Sequence, residues 1–171
     1  MSRLVSIFFG VGLLRPAPGT WGSAAAIALG VAIDYFLGYP ALVVATVLAI
    51  AAGFWACGQE LRNRPGEDPS EIVIDEVAGQ WLALLFPAGA FWNMGLTDWA
   101  VVAYPGWIGA FAFFRLFDIW KPWIIGKADR RGDAAGVMLD DLWAGLFAGL
   151  ATILAAMLYH GPIILQRVMG G

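Results

Sequence analysis

Residues 40–58, PALVVATVLAIAAGFWACG, carry no charged side chain. An apolar stretch of about 20 residues is the length a helix needs to cross a bilayer, and it is too long for a single buried strand. Similar stretches occupy 22–38, 72–92, 99–120 and 137–158. In lipid, every backbone N–H and C=O must find its partner within the chain, so such segments fold as helices. The composition agrees: 60% of residues are hydrophobic and 13% are charged, against roughly 25% charged in soluble domains. So little polar surface cannot coat a water-soluble globule. The expected architecture is all-α, a polytopic membrane bundle of about five transmembrane helices. It forms one membrane-embedded domain over residues 1–171. The opening segment 4–14 is too short to cross and is expected to lie in the interface as a short helix. It faintly resembles a signal peptide, but RPAPGTWGS follows it where a cleavage pattern would stand, so it is expected to remain part of the protein.

The connections read as breaks between these spans. PAPG at 16–19 separates the opening segment from the first span, and GYP at 38–40 forms a tight hairpin. Residues 62–71 and 121–136 are polar loops. Basic residues sort with them. Arg3 and Arg15 precede the first span, Arg62 and Arg64 follow the second, and Lys121, Lys127, Arg130 and Arg131 follow the fourth. The segments 38–40 and 93–98 have neither Lys nor Arg. The tail has only Arg167; with five spans, all the segments rich in basic residues fall on one side, which the positive-inside rule places in the cytoplasm.

Acidic residues follow the same geography. Glu60, Glu67, Asp68, Glu71, Asp75 and Glu76 fall near the second cytoplasmic loop, and Asp118, Asp129, Asp133, Asp140 and Asp141 near the third. Only Asp34 and Asp98 are expected at the opposite face. The pairs Asp75–Glu76 and Asp140–Asp141 each open an apolar helix, where the dipole favours negative charge by a few tenths to about 1 kcal/mol. That tolerates acids without explaining why they cluster. Steps of four lead from Asp75 to Gly79 and Ala83, from Asp141 to Gly145 and Gly149, and from Asp140 to Ala144 and Ala148. Small residues at this spacing let membrane helices approach closely. The acid-bearing faces are therefore also the packing faces, and contact between them would bring carboxylates together. Like charges so placed repel unless a cation neutralises them. Oxygen-only ligands suit Mg²⁺ or Mn²⁺ better than Zn²⁺. Asp118 lies near a helix C-terminus, where the dipole disfavours it; Arg115, three residues earlier, shares its face, and Lys121 follows.

Other features bound the chemistry. Gly19, Thr20, Gly22 and Ser23 form a small, hydroxyl-bearing entry to a helix, suited to an anion or to ordinary capping. Arg115, Lys121 and the 127–131 basic group offer phosphate contacts. Cys57, the only cysteine, reads as a small buried hydrophobe. His160, the only histidine, reads as a solvated residue beyond the last span. No cysteine-based loop, Asp-x-Asp pair or basic stripe is present, which leaves out the usual thiol and aspartyl-phosphate routes and nucleic acid as a partner. Attack of water on phosphorus, assisted by metal, is what remains.

GTWGS at 19–23, DPSEIVIDEVAGQW at 68–81, FRLFDIWKPWII at 114–125 and GVMLDDLWAGL at 136–146 together resemble the phosphatidylglycerophosphatase A family over roughly residues 10–155. The resemblance implies an all-α, Mg²⁺-dependent lipid phosphatase of the bacterial inner membrane that converts phosphatidylglycerophosphate to phosphatidylglycerol and inorganic phosphate. It implies metal and catalytic roles for Asp75, Glu76, Asp118, Asp140 and Asp141, with Glu60 added to the metal set. Arg115 and Lys121 become phosphate ligands, and Thr20 and Ser23 line the site. Either Asp75 or Asp141 would orient or deprotonate the attacking water. The segment 126–135, GKADRRGDAA, is less glycine-rich than the family pattern, which leaves Asp129 and Asp133 outside the expected ligands. Two rival functions are a divalent-cation transporter, which would need acids at several depths, and a phosphotransferase of the same lipid class, which would need a longer series of Asp at spacing four.

Overall fold

The computed structural model describes residues 1–64, 69–95 and 104–169, with 104 and 160–169 as backbone only. Glu67, Asp68, Asp98 and the expected start of the fourth span at 99 lie outside the described residues, as does the side chain of His160. The chain forms α1 (Ser2–Ser6), a 3-10 segment (Phe8–Leu13), α2 (Pro18–Leu37), α3 (Tyr39–Asn63), α4 (Ile74–Asn93), α5 (Tyr104–Trp120), α6 (Ile124–Asp129) and α7 (Ala134–Met169). No strand occurs among the described residues.

Among the described residues, three helices are long and apolar enough to cross a membrane: Pro18–Leu37, Tyr39–Asn63 and Ala134–Tyr159. The expected count of about five is therefore more than the structure supports. The first turn of α4 carries Asp75 and Glu76, and Gln80 follows one turn later, which lowers its apolarity. The described part of α5 is 17 residues long. Large apolar side chains such as Val47, Leu48, Leu150 and Leu154 remain exposed on the spanning helices, as a lipid-facing surface requires.

α4 is the central element. It packs against α2, α3, α5 and α7, and its buried positions run round the whole helix, from Ile74 and Val77 to Trp81, Leu84 and Ala88. A helix apolar on every side is an interior helix. Lipid gives no hydrophobic drive for helices to associate, so close packing has to hold them. The α4–α7 seam shows how. A Cβ on Gly79 would sit 2.4 Å from the Asp141 carbonyl oxygen, and one on Gly145 would sit 2.2 Å from the Gly79 carbonyl oxygen. The two main chains touch with no side chain between them, as the spacing-four pattern predicts. On the α2 side, Trp81 Nε1 donates to the Ala26 carbonyl at 2.7 Å, and Gly30 accommodates Trp81 and Leu84.

The punctuation is also as read, with two differences. Gly38, at φ 83°, turns α2 directly into α3, which begins at Tyr39. The opening segment is α1 followed by a 3-10 segment rather than one short helix, and it is partly tied to the bundle. The Ser6 carbonyl accepts from the Val73 N–H at 2.8 Å, while Leu4, Phe9, Leu13 and Leu14 stay exposed. The connection at 121–136, expected to be a loop, contains α6. Pro122 cannot continue α5, and Lys121 and Trp123 on either side of it adopt positive φ. The chain reverses there, and Lys121 is carried to the mouth of α7.

Candidate active site

Asp75 and Glu76 occupy the first turn of α4, and Asp141 lies in the α7 segment that crosses it at Gly79. Because the seam brings the main chains into contact, the acids beside it are brought together too. Asp75, Glu76 and Asp141 each offer an oxygen, and these oxygens all lie within 4.8 Å of one another. Asp75 and Asp141 are buried. Among the described residues no cation forms an ion pair with any of the three. Glu76 Oε2 is buried with no hydrogen-bond partner. One Asp75 oxygen accepts from the Glu76 backbone N–H at 3.1 Å.

Two cation–acid pairs flank this group. Arg115, on α5, is bonded to Asp118 one turn along the same helix. Its Nη1 also donates to Ser23 Oγ at 3.3 Å, and Ser23 Oγ donates to the Gly19 carbonyl at 2.8 Å. Asp118 is near enough for its charge to act on both Glu76 and Asp141. On the other flank Lys121 Nζ lies 2.8 Å from Asp140 and also pairs with Asp129. Burial works against the charge of Lys121, but its bonds to Asp129 and Asp140 outweigh that and raise its pKa above the ordinary lysine value. It stays an ammonium.

A cavity of about 300 Å³ opens beside the acids. Asp75, Glu76 and Arg115 form its polar wall, Thr20 and Ser70 add hydroxyls, and Ile72 and Val137 are among its apolar residues. Gly19 brings α2 into close contact with this wall. A Cβ there would sit 2.2 Å from Glu76 Oε1 and 3.4 Å from Arg115 Nη1.

The expected site residues thus separate into three groups. Asp75, Glu76, Asp118, Asp140, Asp141, Arg115 and Lys121 converge at one end of α4, α5 and α7. Thr20 lines the cavity, and Ser23 is buried behind it, bonded to Arg115. Glu60 is buried but accepts from Ser2 Oγ at 2.8 Å; it is not among the acids whose oxygens meet. Asp129 and Asp133 engage Lys121 and Arg131, and Asp133 also accepts from the Gly136 N–H at 2.7 Å, capping α7. Asp34 is buried near the far end of α2. Gln80 escaped the sequence reading. It is fully buried, with neither amide atom hydrogen-bonded. A polar residue one turn after Glu76 on an otherwise apolar face was the available signal.

The arrangement can hold a hard dication. Three oxygen donors converge, a buried carboxylate oxygen lacks a partner, and among the described residues no cation pairs directly with the group, although the charge of Arg115 acts on Glu76. Buried charge of this kind is costly unless compensated.

Comparison with known proteins agrees with the geometry. The profile of the family described as phosphatidylglycerophosphatase A matches residues 4–156. A Bacteroides thetaiotaomicron protein, named provisionally as a phosphatidylinositol-3-phosphatase, is 38% identical over 85% of this chain and 87% of its own length. The Haemophilus influenzae phosphatidylglycerophosphatase A is 35% identical over 85% of this chain and 83% of its own. The Escherichia coli phosphatidylglycerophosphatase A is 33% identical over 94% of this chain and 86% of its own. No solved structure matches. With the family profile spanning the bundle and all the converging acids inside it, the chain belongs to the phosphatidylglycerophosphatase A family of phosphatases.

Proposed function

We propose that this protein removes the terminal phosphate of phosphatidylglycerophosphate, giving phosphatidylglycerol and inorganic phosphate, at the cytoplasmic face of a bacterial inner membrane. The observation that carries the reading is the meeting of Asp75, Glu76 and Asp141 oxygens within 4.8 Å on the wall of a cavity shared with Arg115. Asp75, Glu76 and Asp141 would hold Mg²⁺ or Mn²⁺, with Asp118 and Asp140 adding negative charge around them. When bound, the ion supplies positive charge for the phosphoryl oxygens and acidifies water.

The chain's own residues do the rest. The Arg115 guanidinium, held by Asp118 and Ser23, presents a fixed fork to an oxyanion. Lys121, held by Asp129 and Asp140, adds a point charge on the opposite flank. Asp75 or Asp141 accepts the proton of the attacking water. The new bond forms between water oxygen and phosphorus, the bond from phosphorus to the glycerol oxygen breaks, and the leaving alkoxide takes up a proton. The exposed apolar surface keeps the acyl chains in lipid while the polar head enters the cavity. Arg3, Arg15, Arg62, Arg64 and the 121–131 basic group favour the cytoplasmic side.

The test is phosphate release by the purified protein, with and without Mg²⁺, from phosphatidylglycerophosphate, phosphatidylinositol 3-phosphate and phosphatidate. Release that is fastest from phosphatidylglycerophosphate and stops on chelation is expected. Equal or faster release from phosphatidylinositol 3-phosphate would move the substrate assignment. Release undiminished by chelation would remove the metal from it.

A further inference from the structure

Gln80 has 0% exposure, and neither Oε1 nor Nε2 has a hydrogen-bond partner. An amide taken from water into an apolar interior without partners is costly. The bundle could remove that cost by carrying a Met or Leu there. Its place explains why such a group would be kept. Glu76 and Gln80 are four residues apart on α4 and share a face. The neighbouring positions on that face, Val73 and Leu84, pack against Gly22 and Gly30 of α2. Gln80 therefore lies one turn beneath the Glu76 carboxylate, on the side of α4 turned to α2. There Ser23 is fully buried and bonded to Arg115. Two more buried atoms at this junction have no partner, Glu76 Oε2 and Arg115 Nε. Donors and acceptors without partners thus gather at the inner end of the site.

The two atoms of the amide narrow the ligand. Fully ionised phosphate oxygens only accept, and a metal ion takes only the oxygen. A hydroxyl both donates and accepts, so a single such group satisfies Oε1 and Nε2 together. We propose that Gln80, one turn beneath Glu76 and behind the cavity wall that Glu76 forms, binds a hydroxyl group during turnover. Two sources carry that chemistry: the free hydroxyl of the glycerol head group, or a water molecule. The proposal rests on the phosphatase reading and adds a residue to it.

The experiment compares Gln80→Met with wild type on phosphatidylglycerophosphate, which has a free head-group hydroxyl, and on phosphatidate, which has none. Thermal unfolding is measured on both proteins. Methionine keeps the volume and removes the unpartnered amide, so the variant is expected to unfold at the same or a higher temperature. Its kcat/KM on phosphatidylglycerophosphate is expected to fall about tenfold or more, the loss of one buried hydrogen-bonded group. A fall confined to that lipid assigns the head-group hydroxyl; an equal fall on both lipids assigns water. Unchanged kinetics on both, with raised stability, would overturn the proposal. Should Gln80→Met fail to fold, Gln80→Asn retracts the amide by one methylene, and unchanged kinetics there would overturn it equally. Wild-type protein that releases phosphate from neither lipid would instead defeat the phosphatase reading, and this one with it.

Discussion

The acids of this protein live under two regimes. In the 121–133 connection every one has a basic partner: Asp129 pairs with Lys121, and Asp133 pairs with Arg131 while capping α7. These are half-buried or exposed pairs of the kind that contributes little to stability. A few residues further on, Asp141 is buried with Asp75 and Glu76, and none of the three has an ion pair among the described residues. The connection shows that the chain has basic residues to spend on acids. Among the described residues none pairs directly with the central three, and the proposed dication site rests on that contrast. Asp140 stands between the regimes, adjacent to Asp141 yet bonded to Lys121.

The sharpest way to break this contrast is Asp141→Asn. If the central acids serve a dication and a phosphate, phosphate release falls by about 10²–10³, the size expected for one preorganised electrostatic group. The fold survives, because a like-charge contact has been removed. Near-normal release with Mg²⁺ present would place Asp141 with the structural acids. A smaller effect comes from the seam that assembles the group. Gly145→Ala puts a Cβ 2.2 Å from the Gly79 carbonyl oxygen and should cost about 1–3 kcal/mol of stability. Gly58→Ala, whose Cβ would meet only the tip of Arg62 at 3.8 Å, should leave thermal unfolding unchanged. Equal effects from the two would mean that main-chain contact does not assemble the site. The smallest effect is expected from Asp133→Ala, which loses a helix cap and leaves phosphate release within twofold. The Arg131 bond and the Gly136 N–H hold the Asp133 carboxyl below its ordinary pKa. Its contribution is therefore present above the unfolded carboxylate value and fades as pH falls through the folded one. Unfolding curves of the variant and wild type should differ slightly at neutral pH and converge in acid.

Much of this was legible in the residues. Apolar runs located the long helices, because in lipid an apolar run must be helical, although α3 and α7 extend past the expected ends at 58 and 158. The spacing-four series from Asp75 and Asp141 gave the seam, since Gly79 and Gly145 have no role on a lipid-facing surface. What stayed hidden depended on contacts distant in sequence. Glu60 is met by Ser2 across 58 positions, and nothing near either residue announces it. The helix α6 was lost in a polar stretch because its packing, not its composition, makes it helical. The expected count of about five spans goes somewhat beyond the three helices that qualify among the described residues, and α4, apolar enough to suggest lipid contact, is packed on all sides by protein. Gln80 was passed over because a single amide in an apolar run says nothing until both of its atoms are seen to lack partners.

The joint at Gly79 and Gly145 has a further consequence. Where side chains interlock, a protein can adjust by switching rotamers, but two peptide backbones in direct contact have none to switch. The carboxylates fixed beside that joint can be spread only by moving whole helices apart. Accommodation of differing lipid heads therefore falls to the opposite bank of the cavity, at the start of α2 and around Ser70, while the bank that carries the charge keeps one spacing.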